Sequence, residues 1–298
     1  MKRYGYFLGC VMPVKMPWAE RAVMLVAKHL GLYFDYLRGT TCCIRPGVWK
    51  ALDYDAWLTL TSYNLALAEE QEVVLVDSCN GCWISHYEAL QELRENSEKR
   101  EMVASYLKGV GKPFPEHVEV RHFLQVLYED VGLEKIKREV KRKLNLRATR
   151  HIGCHARKLG DDVLPRYFDE ILEALGVEII DTPYDKMCCG LLLFLADPER
   201  SVYERIERKL SCACECGADL CAMICSGCYD QFDRAIRILR RESEAEGVVS
   251  RACSVPVVHL VELLALAFGY KPEDFGMQHF RCTPVDSLLA MLQGEVGP

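Results

Sequence analysis

No run of uncharged apolar residues in this chain approaches the about 18 needed to cross a bilayer, and the most apolar stretch, Val257 to Gly269, is interrupted by His259 and Glu262. Direct membrane insertion is therefore not expected. No glycine-rich phosphate loop follows a predicted strand, so neither flavin nor nucleotide is expected in this chain. The CxxCxxCxxxCP run of relay ferredoxins is missing too, so electrons for a redox reaction must arrive from other proteins. Excess positive charge is also lacking. A formal net charge of −6 argues against general nucleic-acid affinity, which depends on basic surface neutralising phosphates. Finally, Met1-Lys2-Arg3 and the apolar stretch through Val14 are followed by no small-residue cleavage site. This segment reads as a buried strand rather than an export signal, and a cytoplasmic location is expected.

What the chain has in abundance is cysteine, 16 in 298 residues. Without an export signal, thiols at this density point to metal or redox ligands in a reducing compartment rather than to a disulfide framework. Ten of them form one figure written twice: Cys10, Cys42-Cys43 and Cys79-x-x-Cys82, then Cys154, Cys188-Cys189 and Cys225-x-x-Cys228. Between doublet and final pair there are 35 residues both times, while the first gap drifts from 31 to 33. Ligand order is kept and loop length is not, as in a duplicated site.

The repeat extends beyond the ligands. Helical patterns from Trp18 to Leu30-Gly31 and from Leu164 to Leu175-Gly176 each lead into an apolar run, Leu32–Leu37 or Val177–Ile180. Further helices are predicted over Tyr54–Glu69 and Pro198–Leu210, followed by short runs, Val73–Val76 and Cys221–Ile224, that deliver the CxxC pairs. Such short runs fit strands buried on both faces. Both halves end alike, with His122 or His259 before a helix that stops near Gly132 or at Gly269. The predicted fold class is α/β: two pseudo-twofold-related domains, 1–147 and 148–298, each a small mostly parallel sheet with flanking helices, the second with a helical tail from about Pro272. Residues 134–150 between them carry eight basic against two acidic side chains, which reads as a solvated helix face or linker, with partner docking as the alternative.

Five thiols are one more than a tetrahedral zinc or an ordinary four-iron cubane requires. Spacing alone leaves both open. The phrases Tyr6-Phe-Leu-Gly-Cys10, Cys42-Cys43-x-x-Pro46-Gly-Val48, Cys79-Asn-Gly-Cys82, Gly153-Cys154-His155, Cys188-Cys189-Gly190 and Cys225-Ser-Gly-Cys228-Tyr-Asp-Gln-Phe-Asp233 resemble the CCG-domain proteins, specifically the cysteine-rich B subunits of heterodisulfide reductase. That resemblance covers nearly the whole chain. It implies two noncubane [4Fe-4S] clusters, one on Cys10, Cys42, Cys43, Cys79 and Cys82, the other on Cys154, Cys188, Cys189, Cys225 and Cys228. It also implies that the disulfide joining coenzyme M to coenzyme B is split between them. Electrons would come from two further subunits of the same complex, one ferredoxin-like with [4Fe-4S] clusters and one flavin-bearing.

Two departures from the family pattern, Ile44 after the first doublet and Leu191-Leu-Leu-Phe194 after the second, bear on the shape of the substrate cleft. Disulfide reduction needs two electrons, and a substrate lying at the pseudo-twofold would draw one from each side. The sulfonate and phosphate of those coenzymes call for cationic or hydrogen-bonding groups, for which His155 and Lys158 are the candidates. Structural roles are expected for His122 and His259. The remaining cysteines, Cys212, Cys214, Cys216, Cys221, Cys253 and Cys282, are expected to pack as small apolar residues, with an extra metal site among the first four as the alternative. Rival readings are a subunit of sulfur oxidation or of thiol:fumarate or glycolate-type oxidation, and a non-catalytic electron-transfer or zinc-bearing subunit.

Overall fold

The computed structural model describes residues 2–160, 162–247, 250–279 and 281–293. The first repeat runs β1 (Tyr4–Phe7), α1 (Val11–Lys15), α2 (Pro17–His29), β2 (Phe34–Tyr36), α3 (Val48–Leu52), α4 (Tyr54–Glu70), β3 (Val74–Asp77), α5 (Asn80–Glu95), α6 (Ser97–Gly109) and β4 (Val120–His122). It closes with α7 (Phe123–Gln125), π-helical turns over Val126–Gly132, and α8 (Leu133–Glu139). The second runs β5 (Leu146–His151), α9 (Val163–Ala174), β6 (Val177–Ile179), α10 (Pro198–Ser201), π-helical turns over Val202–Glu207, α11 (Arg208–Glu215), β7 (Leu220–Met223), α12 (Ser226–Glu246), β8 (Val257–His259) and α13 (Leu260–Ala267). The tail holds α14 (Pro272–Phe275) and α15 (Asp286–Gln293).

Each repeat folds into a four-stranded sheet, ordered β2-β1-β3-β4 or β6-β5-β7-β8, and every strand pair is parallel. The α/β class and the duplication are as the sequence implies. Among the described residues no helix is long and apolar enough to cross a membrane. The central strands β1 and β7 are buried at every position, because helices cover both faces of a parallel sheet. Edge strand β2 differs from the expectation: it is half-buried at Phe34 and exposed at Asp35 and Tyr36. The strand expected to reach Val14 ends at Phe7, and Val11–Lys15 is helical with Val14 exposed. The helix expected over Pro198–Leu210 changes to π-helical turns at Val202 and continues to Glu215. The division placed after residue 147 falls inside β5, which starts at Leu146.

The repeats interlock: α2 of the first rests on α13 of the second, and α9 of the second on α7 and α8 of the first. His29 stacks on Phe268 with centroids 4.8 Å apart, and Tyr128 lies over Tyr167 at 3.8 Å. The basic segment threads this junction, and three of its cations go to helix C-termini, where carbonyl oxygens lack intrahelical partners, while Lys137 and Arg150 pair with carboxylates. Lys135 Nζ donates to Leu30 O after α2, and Lys143 Nζ to Ala174 O at the end of α9, each at 2.6 Å. Arg147 reaches Cys216 O beyond α11 at 3.1 Å, and the Lys141 and Arg142 amides both donate to Ala267 O of α13. The run is a linker held between helix ends.

Candidate metal centres and the cavity between them

Parallel strands deliver side chains to the carboxyl edge of their sheet, and the cysteines collect there. Cys10 follows β1 and Cys154 follows β5. Cys79 and Cys225 hold the N-cap positions of α5 and α12, helices of 16 and 21 residues, without a side-chain cap bond. Cys82 and Cys228 lie in the first turn of the same helices. Each doublet needs a tight bend so that neighbouring cysteines can face one site. Glycine makes this bend in the second copy, with φ 75° at Gly190, where a Cβ would meet Ser201 Oγ at 2.8 Å. In the first copy Ile44 makes it at φ 45°, a left-handed conformation costly for a β-branched residue.

The bends are clamped by buried polar groups. Ser85 of α5 donates to Cys43 O at 2.7 Å and accepts from Trp57 Nε1 at 2.9 Å, while Asn64 of α4 reaches Cys42 O at 3.4 Å. In the second copy Gln231 Nε2 donates to Ser201 Oγ at 2.9 Å, and that hydroxyl donates to Gly190 O at 2.8 Å.

All ten cysteines of the two sets line one cavity of about 610 Å³. Cys79 Sγ and Cys225 Sγ approach to 3.7 Å across the pseudo-twofold, and Cys154 and Cys188 lie 3.8 Å apart. Glycine backs the second site where any side chain would intrude: a Cβ at Gly153, which has φ 83°, would lie 2.8 Å from Asn80 Nδ2 and 3.5 Å from Cys228 Sγ. Thiol contacts hold Cys42 and Cys188 well below the usual thiol range, chiefly because Cys10 and Cys154 donate to them, and the donors move up correspondingly. Cys79 is also lowered, first by its contact with Cys225. A convergent set of thiols with a ready thiolate fits a soft, thiophilic centre such as an iron–sulfur cluster.

The other candidates divide. His155 lines the cavity, and burial lowers its pKa so that the ring is held neutral. Lys158 is not among the lining residues; it pairs with Glu88 of α5, which also binds Lys50 at 2.8 Å. A carboxylate one helix away accounts for that lysine without any substrate. The cations that do line the cavity are Arg45, two residues after Cys43, and Arg205, far in sequence from any ligand cysteine; neither was anticipated from the sequence. His122 and His259 are helix caps, each accepting from a backbone amide two residues on, Leu124 N at 3.1 Å and Val261 N at 3.4 Å. None of the six remaining cysteines lines the cavity: Cys221 and Cys253 are buried, and Cys214 lies 3.6 Å from Ser254 Oγ. His151, also missed, is buried with both ring nitrogens lacking a partner, and its ligand atom lies within 4.8 Å of those of Cys189 and Cys228.

A five-cysteine site, duplicated on paired parallel sheets and opening on one cavity, defines an iron–sulfur redox subunit. The cysteine-rich CCG domain matches residues 4–85 and again 148–233, once in each repeat. The chain is 33% identical over 308 residues to the B subunit of the ferredoxin:CoB-CoM heterodisulfide reductase of Methanosarcina mazei, across 100% of this chain and 99% of that one. It therefore belongs to the CCG family, in the group of heterodisulfide reductase B subunits. It is also 27% identical over 287 residues to the 8-methylmenaquinol:fumarate reductase membrane anchor subunit of Wolinella succinogenes, across 93% of this chain and 96% of that one. The fold is shared with the crystal structure of a hypothetical protein from Helicobacter pylori, with a TM-score of 0.72 at 14% identity over 95% of this chain and 52% of that one.

Proposed function

We propose that the chain is a cytoplasmic catalytic subunit that reduces the coenzyme M–coenzyme B heterodisulfide to two thiols. Cys10, Cys42, Cys43, Cys79 and Cys82 would hold one noncubane [4Fe-4S] cluster, and Cys154, Cys188, Cys189, Cys225 and Cys228 the other. The observation that carries this reading is that all ten thiols open on a single cavity, with Cys79 and Cys225 3.7 Å apart at its centre line. A disulfide in that cavity faces both sets at once. The clusters, when bound, supply electrons one at a time, and the substrate needs one for each sulfur.

The chain's own side chains do the rest. Arg45 and Arg205 attract the anionic ends of the substrate, as sulfonate and phosphate require. Val48, Trp49, Leu191, Leu192 and Leu195 form apolar walls that take an alkyl arm and exclude water. His155 orients a nascent thiol from the cavity wall. Two further subunits, one ferredoxin-like with [4Fe-4S] clusters and one flavin-bearing, deliver the electrons.

A second reading, an electron-transfer subunit serving a partner's substrate site, is favoured by the apolar rim, where Trp49 is 60% and Leu195 72% exposed. Turnover with reduced viologen separates the two. Release of both thiols from the heterodisulfide, with slower turnover of symmetric disulfides, supports the first reading; intact clusters that reduce no disulfide leave only the second.

A further inference from the structure

Aligning the two repeats on their cysteines exposes an exchange behind the ligands. In the first, Phe7 of β1 meets His86 of α5 edge-on at 4.5 Å; in the second, the positions are reversed, and His151 of β5 faces Phe232 of α12 at 5.0 Å. His86 has a carboxylate partner, Asp77 Oδ2 at 3.0 Å from its Nδ1. The residue matching Asp77 is Met223, so His151 has no such partner. Of the four fully buried histidines, His86, His122 and His259 make hydrogen bonds, and His151 makes none. An imidazole buried with neither nitrogen satisfied is costly, so a missing partner is implied. The nearest candidates are the sulfurs of Cys189 and Cys228, within 4.8 Å of it.

We infer that His151 donates a hydrogen bond to a sulfur of the second centre, at Cys189 or Cys228, and sets that centre's reduction potential above that of the first. Hydrogen bonds to cluster sulfurs stabilise the reduced, more negative state. The first centre has the hydrocarbon ring of Phe7 at the equivalent place and lacks this stabilisation. The five thiols already meet the ligand requirement, so the imidazole acts as a donor and not as an iron ligand. This rests on the two-cluster reading above. The consequence is order: the second centre takes up the first electron.

The test uses holoprotein purified anaerobically, natural-abundance and labelled with ¹⁵N-histidine, in the wild type and in His151→Phe and His151→Gln variants. Pulsed electron paramagnetic resonance should detect a weak histidine nitrogen coupling on one cluster, lost in both variants. Potentiometric titration should show one potential falling in the phenylalanine variant and the other unchanged, with glutamine, which keeps an N–H donor, falling less. Unchanged potentials and coupling with both clusters present would overturn the proposal, as would a nitrogen coupling of directly bonded strength. Iron and sulfide are counted on the same samples. Their absence from the wild type sinks the cluster reading itself, whereas their presence without the shifts sinks only the role of His151.

Discussion

Replacing Ser85 by alanine should weaken the first site without touching the second. The hydroxyl is fully buried, accepting from Trp57 Nε1 at 2.9 Å and donating towards Cys43 O at 2.7 Å and Ile44 O at 3.1 Å. Alanine leaves the indole N–H buried and unpaired, which costs about 1–3 kcal/mol. The carbonyl keeps a longer bond from Thr61 Oγ1 at 3.4 Å, so its share is smaller, about 1 kcal/mol. The sum is about 2–4 kcal/mol. In urea, with a slope of about 3 kcal/mol per M, the unfolding midpoint should fall by about 1 M. The assay is anaerobic urea unfolding of the metal-free protein under reducing conditions. A double-mutant cycle with Trp57→Phe isolates the indole contribution, and the coupling should be about 1 kcal/mol or more. A loss below about 0.5 kcal/mol would refute the idea that these bonds hold the Cys42-Cys43 bend.

Three further outcomes follow from the same geometry. Gly190→Ala places a Cβ 2.8 Å from Ser201 Oγ at φ 75°, and should cost about 2–4 kcal/mol in urea unfolding with iron lost mainly from the second site; a change of a few tenths would contradict the close contact. Burial holds His122 at about 3 and His259 at about 4, against 6.5 for free histidine. Because both folded values are depressed, the unfolded chain binds these protons first as pH falls; the stability is complete above 6.5 and drains away below it, by about 2 kcal/mol per histidine at pH 5. A flat stability profile between pH 7 and 5 would show that these rings are not held neutral. Arg45→Ala or Arg205→Ala should raise the KM for an anionic disulfide about tenfold with little effect on kcat, whereas Lys158→Ala, which removes a half-exposed ion pair, should change neither constant more than about twofold.

The cysteine figure carried much of the site into view, because ligand order survives duplication while loops drift. The short apolar runs before Cys79 and Cys225 placed both at strand ends, and the fold brings all ten thiols to one cavity. Side chains whose position depends on long-range packing were not legible. Lys158 looked like a substrate cation from its place after His155, yet Glu88, far off in sequence, claims it. Arg205 enters the cavity from π-helical turns that the periodicity of residues 198–210 does not disclose. His151 did leave a signal: with the halves aligned on Cys10 and Cys154, it stands opposite Phe7, a polar ring where the other copy has hydrocarbon. Ile44 was visible as a departure from glycine, but its left-handed backbone was not, because the bend is imposed by Ser85, Thr61 and Asn64 from two helices.

The claim that ten thiols hold two clusters facing one cavity is tested most directly by counting iron, acid-labile sulfide and zinc in protein purified without oxygen. Two four-iron clusters predict about eight irons and about eight sulfides per chain and no zinc. Two zincs and no sulfide would contradict the account.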